Sequence, residues 1–427
     1  MKIMNRKSRK INHILSFSGI CLLVIILAVS GVLFINGSGN EDAESLAAET
    51  TSVSAETDSF FSLEETETAE ETTLSEEELL ETEIREIIDS MNLEEKIAQL
   101  FVVTPEAITG VSCVTIAGDI SKESINTWPV GGLIFFEKNL VSTEQVQAML
   151  SGFQTYSEER TGLPLFLCVD EEGGTVARVA GNESFDVEDV GDMADIGASG
   201  DTQNAYDAGV TIGTYLSALG FNVDFAPVAD VWSNPENTVV KYRSFGSDAD
   251  LVAEMAASLL EGLESCGVYG TYKHFPGHGD TTGDTHDGYS YSAKTLEELY
   301  ECEFIPFIEG IENGVSFIMA AHISLPNVTG DDTPASMSGT ILGILRNDLD
   351  YEGIIITDAL NMEAITETYT SAEAAVAALE AGADILLMPE DFESAFYGVL
   401  EAVENGTITE ERIDESLERI IRVKLEM

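Results

Sequence analysis

The sequence predicts an α/β fold, a (β/α)8 barrel of the TIM type, and three observations lead there. Eight short, near-continuous apolar runs recur along some 330 residues. Amphipathic segments with helical spacing separate them, the signature of parallel strands buried on both faces. Charged and polar residues collect where these runs end, which is where a barrel of this kind carries its chemistry.

Before the repeats begin, the chain divides into two other regions. Lys2, Arg6, Lys7, Arg9 and Lys10 precede a run from Ile14 to Ile35 that contains no charged residue. About 22 apolar residues suffice to span a bilayer, and the basic flank assigns the preceding end to the cytoplasm. Residues 1–35 are therefore expected to form a cytoplasmic basic segment and a single-pass anchor in the cell membrane, with the rest of the chain extracytoplasmic. Ala28-Val29-Ser30 supports a competing reading, a cleaved export signal and a secreted protein. Residues 36–78 are rich in Glu, Ser, Thr and Ala and hold no Lys or Arg. Such a segment cannot bury enough apolar area to offset its ordering entropy, so a disordered, extended tether is expected.

The barrel domain is expected over 79–427. Ile84, Ile87, Ile88 and Met91 have helical spacing, and Asn92 with Glu95 reads as a capping box that opens a second helix. The expected strands are Ile97–Val103, Gly132–Phe136, Leu163–Asp170, Phe221–Val228, Val268–Phe275, Val315–Ile323, Gly353–Asp358 and Ala383–Met388. A final helix around Ile413 to Val423 closes the pattern, and no second domain is expected after it.

The 427 residues carry 20 Lys and Arg against 77 Asp and Glu, a net charge of −57. That field repels polyphosphates, so a nucleic-acid partner is excluded. The five cysteines, Cys21, Cys113, Cys168, Cys266 and Cys302, form no spaced framework and are read as unpaired. Four of the five histidines, His274, His278, His286 and His322, fall in the region of the strand ends, three of them within KHFPGHGDTTGDTH. The third strand ends in Asp170, with Arg178 beyond; the fourth leads to Asp230 and Arg243; the fifth ends in Lys273 and His274, the sixth in His322 and the seventh in Asp358. Two chemistries could use this cluster, metal-assisted hydrolysis and glycoside hydrolysis by a nucleophile and a proton donor. Neither metal nor cofactor is expected: His274 and His278 sit in a Pro-Gly loop rather than on one helix face, and Lys273 beside them repels a cation.

The motifs KHFPGHGDT (Lys273–Thr281), ITDALNM (Ile356–Met362), GFNVDFAPVADV (Gly220–Val231), RSFGSD (Arg243–Asp248) and DEEGG (Asp170–Gly174) resemble the signatures of family three glycoside hydrolases. The resemblance is strongest to the single-domain bacterial β-N-acetylglucosaminidase (β-hexosaminidase) branch. It runs from about Leu93 to the C-terminus and leaves out residues 1–78. It implies that Asp358 is the nucleophile of a retaining mechanism, and that His286 is the acid/base, paired with Asp284 on a loop of the barrel itself. It further implies that Asp170, Arg243, Lys273 and His274 grip the terminal sugar; Arg178 and His322 are candidates for the same role, and His278 for bracing the loop. The Asp287-Gly288-Tyr289-Ser290 continuation departs from the usual Leu-Pro ending of that loop.

The resulting expectation is a monomeric, retaining exo-β-N-acetylglucosaminidase acting on terminal N-acetylglucosamine of cell-wall or related glycans. Two alternatives stay open. A neutral histidine base does not repel phosphate, so the chain could be a phosphorylase, and another family β-glycosidase such as a β-glucosidase is the second.

Overall fold

The computed structural model describes residues 75–281 and 288–427. Its centre is a sheet of eight parallel strands: β1 (Phe101–Val103), β2 (Gly132–Ile134), β3 (Phe166–Val169), β4 (Val223–Asp224), β5 (Tyr269–Phe275), β6 (Phe317–Ala320), β7 (Ile354–Thr357) and β8 (Leu386–Leu387). Each strand pairs with the next in sequence, and β8 pairs back onto β1 with Phe101 opposite Leu386. Between β7 and β8 the join is one parallel bridge, Ile356 with Ile385, beside the hydrogen bond from the Thr357 N–H to the Ile385 carbonyl at 3.0 Å. The sheet is a nearly closed barrel.

All eight expected strands are present, each shorter than its apolar run. The largest correction is at the first. Ile97 lies in the helix Leu93–Gln99, because the Asn92–Glu95 capping box starts a helix whose last turn packs against the barrel floor. A second correction concerns the acidic segment, whose residues 76–78 begin the helix Glu76–Ser90. There the Ser75 and Glu78 side chains cap each other's backbone N–H, satisfying two otherwise orphaned donors. The apolar run Ile14–Ile35 and residues 36–74 lie outside the described residues. Among the described residues no helix is long and apolar enough to cross a membrane.

Helices cover the outside of the barrel, and their starts follow the sequence. Ser142, Asp201, Asp248, Thr370, Asp391 and Thr409 each accept a backbone N–H of the first turn, the standard way to satisfy donors with no intrahelical partner. Gly220 ends the helix Thr202–Leu219 at φ 101°, a backbone angle that leaves only glycine unstrained, and turns the chain directly into β4. Trp128 packs edge-on against Phe392 and Phe396 at 5.3 and 5.1 Å, fastening the segment between β1 and β2 to the helix after β8.

The lumen is filled rather than open. Phe166 of β3 and Phe317 of β6, on non-adjacent strands, meet edge-to-face at 5.2 Å across the interior. Lys424 of the last helix (Glu410–Glu426) reaches in below them, donating to the Gln99 side chain at 2.8 Å with its ammonium 5.0 Å from the Phe166 ring. The seam between β7 and β8 is held by Asp384, which is fully buried. It accepts from the Ile355 N–H at 2.9 Å, Ser416 at 2.7 Å, Arg346 at 2.7 Å and Arg419 at 3.1 Å. Charge-assisted bonds of this kind reinforce the backbone hydrogen bonds that cross the seam, among them Ile385 N–H to the Ile355 carbonyl at 3.1 Å and Leu360 N–H to the Leu387 carbonyl at 2.9 Å. Cys113, Cys168, Cys266 and Cys302 are unpaired, as the sequence reading expects; Cys21 lies outside the described residues.

Candidate active site

At the C-terminal mouth of the barrel, β3 continues into a small antiparallel hairpin, Glu171–Gly173 with Val176–Ala177. Extended backbone alternates its side chains between two faces, and this divides three consecutive carboxylates between two tasks. Glu171 turns away from the mouth. It accepts the N–H groups of Val179 and Ala180, both at 2.8 Å, and the Tyr215 hydroxyl at 2.9 Å, which pins the hairpin. Burial raises the pKa of this carboxyl, and those hydrogen bonds only partly offset it.

Asp170 and Glu172 turn into the site. Lys273, from β5, bridges them at 2.9 and 2.6 Å. Arg243, from the loop after β4, grips Glu172 in a bidentate pair at 2.7 and 2.8 Å. Burial alone would protonate Glu172, but Arg243 and Lys273 hold its carboxyl well below the usual carboxylate range. Lys273 is buried too, which disfavours its charge, yet Asp170 and Glu172 raise its pKa above the ordinary value. The result is a preformed array of two cations and two anions whose geometry is fixed before any ligand arrives.

The loop after β5 is organised by a second buried carboxylate. Asp230 accepts from the backbone N–H of His274 at 3.2 Å and of His278 at 2.6 Å, and it meets His274 Nδ1 at 2.7 Å. Burial opposes ionisation of Asp230, but His274, His278 and those N–H groups outweigh it, so the carboxyl stays below its ordinary pKa. An ionised Asp230 can only accept, so His274 Nδ1 carries a proton. Arg243 can only donate, and its Nη2 stands 3.4 Å from His274 Nε2. His278 is braced by Thr281 at 2.9 Å, while the Asn237 amide holds its carbonyl at 2.9 Å. Burial lowers the pKa of His278. Gly279 lies so close to the loop after β4 that a Cβ there would sit 1.7 Å from the Val231 carbonyl, which restricts the position to glycine.

Asp358 caps β7. Its N–H is bound by the Ala320 carbonyl at 2.8 Å, and one carboxylate oxygen accepts the Ala359 N–H at 2.7 Å. Desolvation works against its charge; His322, His274, the Ala359 N–H and Lys273 together overcome it and lower its pKa. His322, buried at the end of β6, bonds the Ala359 carbonyl through Nε2 at 3.0 Å and Ser336 through Nδ1 at 2.8 Å. It therefore holds the residue that follows Asp358.

The structure thus brings together Asp170, Arg243, Lys273, His274 and Asp358 at one mouth. His322 stands behind Asp358, touching protein on both ring nitrogens. Arg178 is set at the edge, 4.0 Å from Asp170 and over the Phe136 ring at 5.7 Å, with its Nε buried and unpartnered. Asp284 and His286 lie outside the described residues. Sequence reasoning passed over Glu172, although the period-two alternation that aims Asp170 into the site aims Glu172 there as well. Among the described residues no group of three or more His, Cys, Asp and Glu side chains is placed to hold a metal ion.

Comparison with known proteins matches residues 92–423 to the glycosyl hydrolase family 3 N terminal domain. The chain is 32% identical over 348 residues to beta-hexosaminidase A of Pseudoalteromonas piscicida, covering 76% of this chain and 58% of that protein's length. It is 32% identical over 271 residues to the beta-hexosaminidase LpqI of Mycobacterium tuberculosis, covering 61% of this chain and 68% of that one. Among solved structures, a family 3 beta-N-acetylglucosaminidase from Paenibacillus sp. str. FPU-7 superposes with a TM-score of 0.74 at 38% identity, over 79% of this chain and 62% of the other.

Proposed function

This chain belongs to glycosyl hydrolase family 3, and on that premise we propose that it is a retaining exo-β-N-acetylglucosaminidase acting on terminal β-linked N-acetylglucosamine. The observation that carries the reading is the Asp358 carboxylate, at the end of β7 and held toward its ionised form beside the Asp170–Lys273–Glu172–Arg243 array. The names of its relatives as beta-hexosaminidases and a beta-N-acetylglucosaminidase support the substrate.

In this mechanism an Asp358 oxygen attacks the anomeric carbon while the bond to the leaving oxygen breaks and His286 delivers its proton to that oxygen. The covalent glycosyl-enzyme is then opened by water. Neutral His286 takes the water's proton, the new bond forms at the anomeric carbon, and Asp358 leaves as a carboxylate, giving net retention. Asp284 fixes the tautomer of His286 and stabilises its imidazolium. An imidazole suits both halves because its ordinary pKa lies near 6.5. Asp170, Lys273 and Arg243 grip the sugar's hydroxyls and acetamido group, with Glu172 holding the two cations in place. His274 is kept in one tautomer by Asp230, and Arg178 extends the donor set at the rim.

The location follows from the sequence alone. We assign the Ile14–Ile35 run as a single-pass membrane anchor and the acidic segment as a tether, which sets the barrel outside the membrane within reach of cell-wall glycans.

The test is release of p-nitrophenol from p-nitrophenyl β-N-acetylglucosaminide by the full chain, with Asp358→Ala and His286→Ala in parallel. EDTA is added in one arm, and phosphate-free and phosphate buffers are compared. EDTA-insensitive release that Asp358→Ala reduces by at least about a thousandfold, and that His286→Ala reduces less because p-nitrophenolate leaves with little help from an acid, supports the assignment. A sugar 1-phosphate product would make the chain a phosphorylase. Activity confined to the plain glucoside would refute the acetamido preference.

A further inference from the structure

The aromatic cluster that fastens the segment between β1 and β2 is only partly covered. Trp128 ends the helix Asp119–Thr127, and the helix after β8, Phe392–Glu404, brings Phe392, Phe396 and Tyr397 against it. Phe392 and Phe396 are buried, whereas Tyr397 is 54% exposed and meets Trp128 at 6.1 Å with the two rings close to perpendicular. An open aromatic face on a buried aromatic cluster marks a binding surface. The two rings form the corner of a cavity of about 270 Å3, completed by Glu94 and Ala98 of the helix before β1 and by Thr127 and Pro129 just before β2. These segments enter the barrel strands rather than leave them, so the cavity lies away from the mouth and shares no residue with the site there.

The cavity combines apolar faces with one unused donor and one unused acceptor. The Trp128 indole N–H can only donate, and no described residue accepts from it; the Glu94 carboxylate can only accept, and no described residue donates to it. The second tryptophan, Trp232, by contrast gives its indole N–H to the Asn237 carbonyl at 2.9 Å. Glu95 is already engaged, capping its own helix and pairing with Arg160 at 2.6 Å. No lysine or arginine lines the cavity, so a phosphate, an acidic peptide or an anionic lipid surface meets only like charge. An apolar peptide would bury the indole N–H and Glu94 without partners. A neutral sugar satisfies every part. Its C–H face packs on the negative face of an aromatic ring, and its hydroxyls both accept from the indole and donate to the carboxylate.

We propose that this cavity is a second carbohydrate site, a non-catalytic platform that holds an interior sugar unit of a neutral β-linked glycan. Tyr397 and Trp128 supply the stacking corner, and the Trp128 N–H and Glu94 fix the ring through its hydroxyls. Binding there does not depend on the catalytic assignment. Its use to the enzyme rests on the reading of the mouth as exo-acting: a chain held at an interior unit keeps its ends at a high local concentration near the mouth.

The test is co-sedimentation of the full chain with an insoluble β-1,4-linked N-acetylglucosamine polymer, in the cold and for a short time. A mouth that takes terminal sugars meets few ends on such a polymer, whereas the platform meets interior units throughout. The wild-type chain is expected to bind, and Tyr397→Ala to bind about tenfold more weakly. Trp128→Phe, which keeps an aromatic ring against Phe392 and Phe396 but removes the N–H, is expected to lose about threefold. In both variants kcat/KM on soluble p-nitrophenyl β-N-acetylglucosaminide stays at the wild-type value, while release of N-acetylglucosamine from sparse polymer falls in step with binding. Tyr397 is exposed, so its replacement does not threaten the fold. Absence of polymer binding by the folded wild-type chain, or binding unchanged in Tyr397→Ala, overturns the proposal. So does a dimer in light scattering that Tyr397→Ala converts to a monomer, since the patch would then be covered by a second copy. Polymer binding that depends on Tyr397 in a chain that fails to turn over the soluble substrate would overturn the assignment of function and leave the platform standing.

Discussion

Replacing Glu172 by Gln tests whether one buried carboxylate organises the Asp170–Lys273–Arg243 array. The substitution keeps the shape and one acceptor oxygen but removes the charge that Arg243 meets at 2.7 and 2.8 Å and Lys273 at 2.6 Å. Lys273 then keeps only its ion pair with Asp170, and Arg243 loses the carboxylate that it grips. Breaking a buried ion pair on one side costs roughly 3–5 kcal/mol, and the retained amide oxygen places this case at about 3 kcal/mol. Urea unfolding followed by circular dichroism reads that cost as a lowered midpoint at unchanged slope. Its pH dependence is also set. A carboxyl whose pKa is lowered on folding contributes stability above its unfolded value of about 4.3, lost as pH falls through the folded value. The gap between wild type and Glu172→Gln is therefore flat from pH 5 to 8 and closes only in strong acid. Arg243→Leu combined with Glu172→Gln should cost less than the sum of the single changes by at least about 1.5 kcal/mol. A loss under about 1 kcal/mol, or strict additivity of the pair, would refute the organising role.

Three further outcomes follow from groups elsewhere in the molecule. Asp230→Asn keeps one oxygen for the N–H groups of His274 and His278 but sets an NH2 donor against the protonated Nδ1 of His274 and removes the charge, so a stability loss of about 3 kcal/mol is expected together with a changed pH profile of kcat/KM. A stable variant with the wild-type profile would count against it. Lys424, with its pKa pulled down to about 7 by burial, binds its proton more weakly folded than unfolded, so stability rises between pH 7 and about 10. Lys424→Met should therefore be the more stable protein at pH 6, by up to about 4 kcal/mol, with the gap closing toward pH 10; a gap independent of pH would sink that account. Asp384→Asn strips the carboxylate from Arg346 and Arg419 at the β7–β8 seam and should cost about 3–5 kcal/mol, while kcat and KM of the folded fraction stay unchanged.

The eight strands were legible because a strand buried on both faces must be apolar throughout, and an apolar run is visible one residue at a time. Asp170, Lys273, His274 and Asp358 were legible for a related reason: a charge at the end of such a run has to face the barrel mouth. Helix starts could be read wherever the capping side chain lies within three residues of its partner, as at Asn92 and Glu95. Even there the extent escaped, because the pattern could not tell that Ile97 continues the helix rather than opening β1. The roles proposed for Asp358 and His286 come from the resemblance of the motifs, and neither spacing nor composition contains them.

Tertiary structure decided which charges meet. Arg243 is 71 residues from Glu172, and Lys273 is 103 from Asp170; no local pattern records a pairing made by curling the sheet. The same holds for Asp384, a single acidic residue in the sequence that becomes the clasp of the seam once the last helix returns beneath it. His322 looks, in sequence, like the other strand-end histidines. Only packing separates it, by giving both ring nitrogens protein partners and setting it behind Asp358. Burial and strand order are dictated by local apolarity, but the sign and strength of an electrostatic site depend on distances across the barrel, and those exist only once it has closed.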